Sequence, residues 1–120
     1  MPMSGAPFHM RLTEAVAKGP PPPGNLAIPI FSRGSIAVEI YTPKERDPQT
    51  PHDRDELYFV AQGNAVFFDG VRRLRVEVGS FLFVAAHQEH RFEEFSPDFS
   101  VWVVFYGPHG GEGKTARRRN

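Results

Sequence analysis

Residues 51–63 have the sequence PHDRDELYFVAQG, and this stretch decides how the rest of the chain is interpreted. It places two potential metal ligands, His52 and Glu56, at the start of an apolar run. A third candidate ligand, His90, follows a second apolar run later in the chain. On an extended strand, residues two or four apart point to the same face, so His52, Glu56 and Tyr58 share one side. We therefore predict that the chain folds around these side chains.

The composition is that of one globular domain. A chain of 120 residues is long enough for one hydrophobic core. Fourteen basic and fourteen acidic residues cancel, so no net charge steers the protein toward nucleic acid or an anionic membrane. The chain has no cysteine, which excludes disulfides, thiolate metal sites and a cysteine nucleophile. With no secretory signal and no apolar run of about 20 residues, we expect a soluble, cytoplasmic protein without a membrane partner.

Period-two patterns dominate from Ala27 onward, where apolar and polar residues alternate between turn signals such as Asp69-Gly70. Several short strands at spacings of about 8–12 residues, with no helices between them, favour an antiparallel sandwich or barrel over a parallel sheet. The fold class is therefore predicted to be all-β. The predicted strands cover residues 28–30, 36–41, 57–61, 65–68, 74–78, 81–84, 90–94 and 99–106.

A short helix is predicted near the N-terminus, where apolar residues have helical spacing before Gly19 and the four prolines at 20–23. This prediction divides the chain into three parts. Residues 1–24 form a tail with the short helix and a proline linker, 25–108 form the barrel domain, and 109–120 form a flexible basic tail.

The basic tail has two interpretations. Its four cations are able to contact phosphate. The segment is short and terminal, however, and it lacks the interleaved aromatic residues that single-stranded nucleic acid sites use. A solvated chain end is therefore favoured over a nucleic-acid contact. The cations are Lys114, Arg117, Arg118 and Arg119.

Two imidazoles and one carboxylate that converge inside a barrel form a facial ligand set with open positions for water, substrate or dioxygen. This set suits non-haem iron, and also manganese, nickel or zinc. The spacing alone is weak support for a metal site. A histidine before a strand is commonly a surface or capping residue, and Glu56 has the alternative of being a charge at the strand edge.

Two segments, PHDRDELYFVAQG and GSFLFVAAHQEHRFE, resemble the paired motifs of the cupin superfamily. The first motif runs Gly-x5-His-x-His-x3 or 4-Glu-x6-Gly, and the second runs Gly-x5-Pro-x-Gly-x2-His-x3-Asn. The resemblance covers about residues 35–106 and implies an antiparallel double-stranded β-helix, or jelly roll, with a metal at the two histidines and the glutamate. The matching positions are His52, Glu56, Gly63, Gly79 and His90.

The chain also departs from these motifs. Thr50, with Gln49 beside it, stands where the family has its first histidine, so one of the usual four ligands is absent. Ala85, His87 and Glu94 stand at the proline, glycine and asparagine of the second motif. Histidine is among the residues that tolerate a positive φ at a glycine position. Because cupins that lost ligands include metal-free members, the resemblance leaves open a three-ligand metal site or a metal-free pocket.

Other residues near the expected pocket have two interpretations each. Tyr58 and Tyr106 are candidate hydrogen-bond donors or proton carriers, or else core residues. His87 is a candidate acid or base beside the metal, or an exposed loop residue. Glu94 is able to orient a ligand imidazole, or to pair with a surface arginine such as Arg91. We take Tyr58 and His87 as the candidate catalytic residues.

The resemblance implies a metal-binding cupin that acts on a small organic molecule in the barrel pocket. Dioxygenases, isomerases, decarboxylases and polyketide-tailoring proteins are all cupin relatives. The alternatives are a non-catalytic small-ligand-binding or regulatory module, and a scaffold without a functional pocket. Aromatic residues that must point outward, together with the usual assembly of cupins, imply a homodimer. Replacing His52 or His90 by alanine is expected to remove the metal and leave the barrel folded.

Overall fold

The computed structural model describes residues 7–113, which form two antiparallel β-sheets packed face to face. One sheet has five strands in the order β1-β2-β8-β3-β6, and the other has three in the order β5-β4-β7. This arrangement confirms the predicted all-β jelly roll with one short helix. The elements are α1 (Leu12–Val16), β1 (Ile28–Arg33), β2 (Ile36–Tyr41), β3 (Asp55–Gln62), β4 (Asn64–Phe68), β5 (Arg73–Glu77), β6 (Phe81–Val84), β7 (Arg91–Glu93) and β8 (Ser100–Tyr106).

The register of the five-stranded sheet brings acidic side chains together on its inner face. Strand β8 lies between β2 and β3, and Val103 pairs with Glu39 on one side and Tyr58 on the other. Glu56 pairs with Phe105, two residues further along β8. Because alternate residues of a strand share a face, Glu39, Glu56 and Tyr58 project toward the barrel interior together.

The core between the two sheets is largely aromatic. The rings of Phe92 and Phe99 lie 4.9 Å apart, and those of Tyr58 and Phe92 lie 5.0 Å apart in an edge-on arrangement. Such pairs contribute to stability beyond the area they bury. The buried residues of this cluster are Ala27, Tyr41, Tyr58, Val60, Ala65, Phe67, Val76, Val84, Phe92, Phe99, Val101 and Val103.

A second, smaller cluster lies on the outer face of the five-stranded sheet, where Ala15 of α1 packs against Ile28 and Ile40. Helix α1 is shorter than the pattern over residues 8–18 suggests, and it serves mainly to cover these two strands. Strand β2 is therefore buried on both faces, with Ile40 under the helix and Tyr41 in the main core. Glu39 shares the inner face of β2 with Tyr41, and its side chain therefore projects into the barrel.

Gly63 makes the turn from β3 to β4 and illustrates why the first motif ends in glycine. Its φ of +76° lies in the left-handed region that side chains with a Cβ rarely adopt. A Cβ there would also lie 2.9 Å from the Cα of Phe99, which is too close for real contacts. Both the backbone conformation and the space therefore require glycine.

Within residues 7–113, no helix is long and apolar enough to cross a membrane. The predicted basic tail, with Lys114 and the three arginines at 117–119, lies outside the described residues, as do the first six residues of the predicted N-terminal tail. The proline at position 29 lies in β1, which is an edge strand, where a sheet tolerates proline.

Candidate metal centre

His52, Glu56 and His90 converge inside the barrel. One ligand atom of each residue lies within 4.8 Å of the others. Nε2 of His90 is 3.2 Å from Oε1 of Glu56, and Nε2 of His52 is 3.7 Å from the same oxygen. Strand β3 carries Glu56, and the two histidines come from the loops that precede β3 and β7. The three residues therefore lie close enough to hold one ion.

The Glu56 carboxylate shows how well this group fits a metal. Its side chain is 1% exposed, and among residues 7–113 neither of its oxygens has a hydrogen-bond partner of acceptable geometry. An ionised carboxylate removed from water costs several kcal/mol unless a positive charge compensates it. Two imidazole nitrogens and one carboxylate oxygen form a donor set suited to iron, manganese, nickel or zinc. The residues present thus fit a divalent transition metal.

The ring of His90 is held with its Nε2 toward Glu56. Its Nδ1 lies 2.8 Å from the carbonyl oxygen of Gln88, which places the proton on Nδ1 and leaves the Nε2 lone pair for an ion. This backbone carbonyl, and not Glu94, orients the ring; Glu94 is exposed. Burial lowers the pKa of His90, but the adjacent Glu56 carboxylate more than offsets this effect, so the pKa is raised.

Tyr58 lies directly beside this group. Its hydroxyl donates to Oε1 of Gln49 at 3.1 Å and lies 3.1 Å from Nε2 of His90. Burial, followed by the negative charge of Glu56, raises the pKa of Tyr58 well above its usual range. The side chain is 1% exposed, so it is a core residue whose hydroxyl points into the site. At neutral pH it is a hydrogen-bond donor and not a base.

Two further residues, Gln49 and Asp47, are linked to the candidate ligands by hydrogen bonds, although the sequence pattern indicates no role for them. Oε1 of Gln49 lies 3.0 Å from Nε2 of His52, and Asp47 accepts a hydrogen bond from Nε2 of Gln49 at 2.6 Å. Both residues lie in the irregular loop between β2 and β3, where no periodicity reveals which side chains turn inward. The only available signal was the position of Gln49 next to Thr50. Thr50 itself is exposed.

A pocket of about 330 Å³ opens beside these residues. The segment 24–27, which enters β1, forms part of its rim. Glu39 projects into the pocket from β2, and burial, followed by repulsion from Glu56, raises the pKa of Glu39. Within the described chain, the lining contains no Lys or Arg. The lining residues are Gly24, Asn25, Leu26, Ala27, Glu39, Tyr41, Pro48, Gln49, Thr50, His52, Glu56, Tyr58, Val103 and Phe105.

The structure does not bring His87 to this group. His87 is exposed with a φ of +71°, and it lines a separate pocket with Tyr106, Asp55 and Glu112. Its backbone N–H donates to the carbonyl oxygen of His52, so its contact with the ligand loop is through the backbone. The positive φ agrees with its position at the glycine of the second motif.

The chain is similar to known proteins over the region that contains His52, Glu56 and His90. A family model for the Cupin domain matches residues 37–106, which is more than half of the chain. An uncharacterized protein of Streptomyces coelicolor is 42% identical over 62 residues, covering 52% of this chain and 59% of the relative. The chain therefore spans about three fifths of the length of the curated relative that it matches.

Solved structures have the same fold. A cupin-2 domain containing protein from Shewanella frigidimarina has a TM-score of 0.64 at 11% identity, over 82% of this chain and 94% of that one. The DMSP lyase DddQ from Ruegeria pomeroyi has a TM-score of 0.52 at 25% identity, over 61% of this chain and 39% of that one. The family match spans strand β3, which carries Glu56, and the loop that carries His90. The chain therefore belongs to the Cupin domain family.

Proposed function

We propose that this chain is a metal-dependent cupin enzyme that acts on a small organic molecule, with His52, Glu56 and His90 as metal ligands. The buried Glu56 carboxylate is the observation that carries the proposal. Its oxygens have no hydrogen-bond partner within the described chain, yet two imidazoles lie within 3.7 Å of it. Such an arrangement is costly for stability and is explained by a cation between the three side chains.

A divalent iron, manganese, nickel or zinc ion, which His52, Glu56 and His90 would hold, would supply Lewis-acid chemistry. The protein contributes a hydrogen-bond donor, because Tyr58 keeps its proton and its hydroxyl faces the ligand cluster. We propose that the Tyr58 hydroxyl moves its one donated hydrogen bond from Gln49 to the substrate oxygen and so positions that oxygen. An acid or base role for His87 remains a prediction, because His87 lines the neighbouring pocket and not the one beside the candidate ligands.

The pocket supports a small ligand with little negative charge. Its volume of about 330 Å³ lies at the lower end of the range for small-molecule sites, which is about 300–1,000 Å³. Glu39 and Glu56 are its acidic groups, and the described lining residues include no Lys or Arg. A small molecule that presents one oxygen to the ligand cluster, with an uncharged or positively charged remainder, suits this wall better than a phosphate ester.

The alternative is a non-catalytic cupin that holds a small ligand in the same pocket. A purely apolar or hydrogen-bonding pocket has no need of a buried carboxylate between two imidazoles, which favours the metal-dependent enzyme. The 25% identity to a DMSP lyase over 61% of this chain also supports a catalytic role, without specifying the reaction. Turnover of a small-molecule panel by the metal-loaded protein separates the two functions.

Metal content tests the proposal directly. We expect the purified protein to carry about one transition-metal ion per chain, or to take one up from Fe²⁺, Mn²⁺, Ni²⁺ or Zn²⁺ after treatment with a chelator. Glu56→Gln should lose this binding, whereas Glu94→Gln, at an exposed carboxylate, should retain it. Absence of bound metal in the native protein, together with no uptake of any of the four ions, would contradict the proposal.

We propose in addition that two copies of the chain associate through an aromatic surface formed by Phe59, Phe81 and Phe83. These side chains are 41%, 55% and 47% exposed, and the rings of Phe59 and Phe81 lie 5.2 Å apart. They occupy the outer face of β3 and β6, beyond the part of the sheet that α1 covers. Exposed aromatic residues in one patch are typical of protein interfaces.

A further inference from the structure

The side-chain amide of Gln49 points its oxygen at the candidate metal centre. Oε1 lies 3.0 Å from Nε2 of His52 and 3.1 Å from the hydroxyl of Tyr58, which is itself 3.1 Å from Nε2 of His90. We infer that Gln49 supplies a fourth metal ligand through Oε1, and that the buried Asp47 is the positioning residue that aims it. This inference rests on the proposed metal site.

The direction of the Gln49 amide follows from its partners. Its Nε2 lies 2.6 Å from Oδ2 of Asp47, and an ionised carboxylate only accepts hydrogen bonds. The NH₂ group must therefore face Asp47, which leaves Oε1 facing the site. The backbone N–H of Gln49 also donates to Oδ1 of Asp47 at 3.2 Å, so the residue is held at two points.

Asp47 is in turn held by both sheets. The residue is 6% exposed and accepts hydrogen bonds from the hydroxyl of Tyr41 on β2 and the backbone N–H of Phe92 on β7. A carboxylate with four donors around it stays in one orientation, and it transmits that orientation to the amide of Gln49. The loop between β2 and β3 is thereby fixed to the barrel at the point where it passes the site.

The spacing of the atoms suits neighbouring ligands of one ion. Two ligand atoms that are each about 2.1 Å from an ion and at right angles to one another lie about 3 Å apart. Oε1 of Gln49 and Nε2 of His52 are 3.0 Å apart. Thr50 stands at the family's first histidine position, but it is exposed. Its neighbour Gln49 has the oxygen that faces the site, so Gln49 is the candidate for the fourth ligand.

An amide oxygen in place of an imidazole also changes which metal the site prefers. The ligand set becomes two nitrogens and two oxygens, of which only Glu56 carries a charge. Carboxylate and carbonyl oxygens suit manganese, and a set of two histidines and one carboxylate suits Fe²⁺, whereas a third imidazole would suit zinc, nickel and copper as well. The inference therefore narrows the expected cofactor toward Mn²⁺ or Fe²⁺.

The test compares Gln49→Leu with Gln62→Leu as the matched control, since Gln62 is an exposed glutamine at the end of β3. Mn²⁺ measures affinity and Co²⁺ is a spectroscopic probe. We expect Gln49→Leu to weaken Mn²⁺ binding by about tenfold or more, and to change the visible absorption of bound Co²⁺, which reports coordination number and donor type. Gln62→Leu should leave both unchanged. Circular dichroism checks the fold, and Gln49→Ala replaces the leucine variant if that variant does not fold.

Asp47→Asn tests the positioning role, because an asparagine amide lets the Gln49 amide turn over. The same change in the Co²⁺ spectrum as in Gln49→Leu supports the inference, whereas a lower melting temperature with an unchanged spectrum makes Asp47 merely structural. If the wild-type protein takes up neither of these ions, nor Fe²⁺, Ni²⁺ or Zn²⁺, the proposed metal site itself is wrong. If it binds them, and Gln49→Leu binds with equal affinity and an identical spectrum, only the role of Gln49 is overturned.

Discussion

Nε2 of His90 and Oε1 of Glu56 are 3.2 Å apart, and both side chains are almost completely buried. Because Nδ1 of His90 donates its proton to the carbonyl of Gln88, a neutral ring would present a lone pair to the carboxylate and repel it. The two side chains are compatible only if one positive charge lies between them. A proton meets this requirement in the metal-free protein, and a metal ion replaces that proton on binding.

The two histidines should respond differently to substitution by alanine. The side chain of His52 is 33% exposed, so His52→Ala should abolish metal binding with little loss of stability. The side chain of His90 is 0% exposed and compensates Glu56, so His90→Ala should also lower the free energy of unfolding, by about 3 kcal/mol. The structure thus revises the expectation that neither histidine contributes to the core.

Chemical denaturation of the metal-free variants measures this difference, with metal content as the second readout. His9→Ala provides the control, because His9 is an exposed histidine that lies before α1. Equal stability losses in the variants at positions 52 and 90 would show that the burial of His90 contributes nothing.

The strands were predictable because their period-two pattern is local. The prediction over residues 81–84 has the same bounds as β6, and the prediction over 99–106 differs from β8 by one residue. For β2, the alternation separated Ile40 from Glu39 and Tyr41 correctly. It did not reveal that Ile40 lies under α1 while Glu39 faces the barrel, because both faces of that strand are covered.

The proximity of the three candidate ligands was predictable, because motif spacing fixes their positions. The family resemblance predicts that the elements carrying His52, Glu56 and His90 meet inside the barrel. These elements are strand β3 and the loops before β3 and β7, and the three residues lie within 4.8 Å of one another. Asp47 and Gln49 lie in an irregular loop, and their inward orientation depends on partners on β2 and β7 that are distant in sequence. No local pattern encodes such contacts, which is why sequence analysis did not identify them.

The three tyrosines of the chain should resist ionisation in the folded protein. Burial, followed by hydrogen bonding to Asp47, raises the pKa of Tyr41; burial, followed by the charge of Glu56, raises that of Tyr58. Burial and the charge of Asp55 also raise the pKa of Tyr106. The folded state therefore keeps protons that the unfolded chain releases above pH of about 10, so the stability of the fold decreases as pH rises beyond that value.

Alkaline titration followed by tyrosinate absorbance checks this prediction, with circular dichroism recorded on the same samples. We expect ionisation of Tyr41 and Tyr58 to coincide with unfolding, and the urea-unfolded chain to titrate near pH 10. Tyrosinate signal from all three residues near pH 10, while circular dichroism still shows a folded barrel, would be inconsistent with their burial.

The proposed homodimer depends on the aromatic surface of Phe59, Phe81 and Phe83. In solution the wild-type protein should have twice the mass of a single chain, and Phe81→Lys should shift it toward the monomer, because a charge at the centre of an apolar interface is costly to bury. Light scattering coupled to gel filtration measures both. Val71→Lys is the control, since Val71 is 86% exposed and lies in the turn after β4. A wild-type monomer at micromolar concentration rules the dimer out.

Glu39 should lower the stability of the metal-free protein at neutral pH. Burial, followed by repulsion from Glu56, raises its pKa, so the folded state disfavours the ionised form that the unfolded chain adopts above pH of about 4.3. The stability that protonated Glu39 provides is complete below that pH and is lost as pH rises through the folded pKa. Glu39→Gln should therefore raise the melting temperature of the chelator-treated protein at pH 7, and the gain should shrink toward pH 4.

Glu77→Gln is the matched control, because Glu77 is an exposed acid on β5. Loading the wild-type protein with metal should reduce the difference between it and Glu39→Gln, since the charge of the ion offsets that of Glu56 near Glu39. A melting temperature that falls in Glu39→Gln at pH 7 would mean that Glu39 stabilises the fold. A higher melting temperature would mean that Glu39 lowers stability, as expected of an acidic group that is retained in a pocket to contact a ligand.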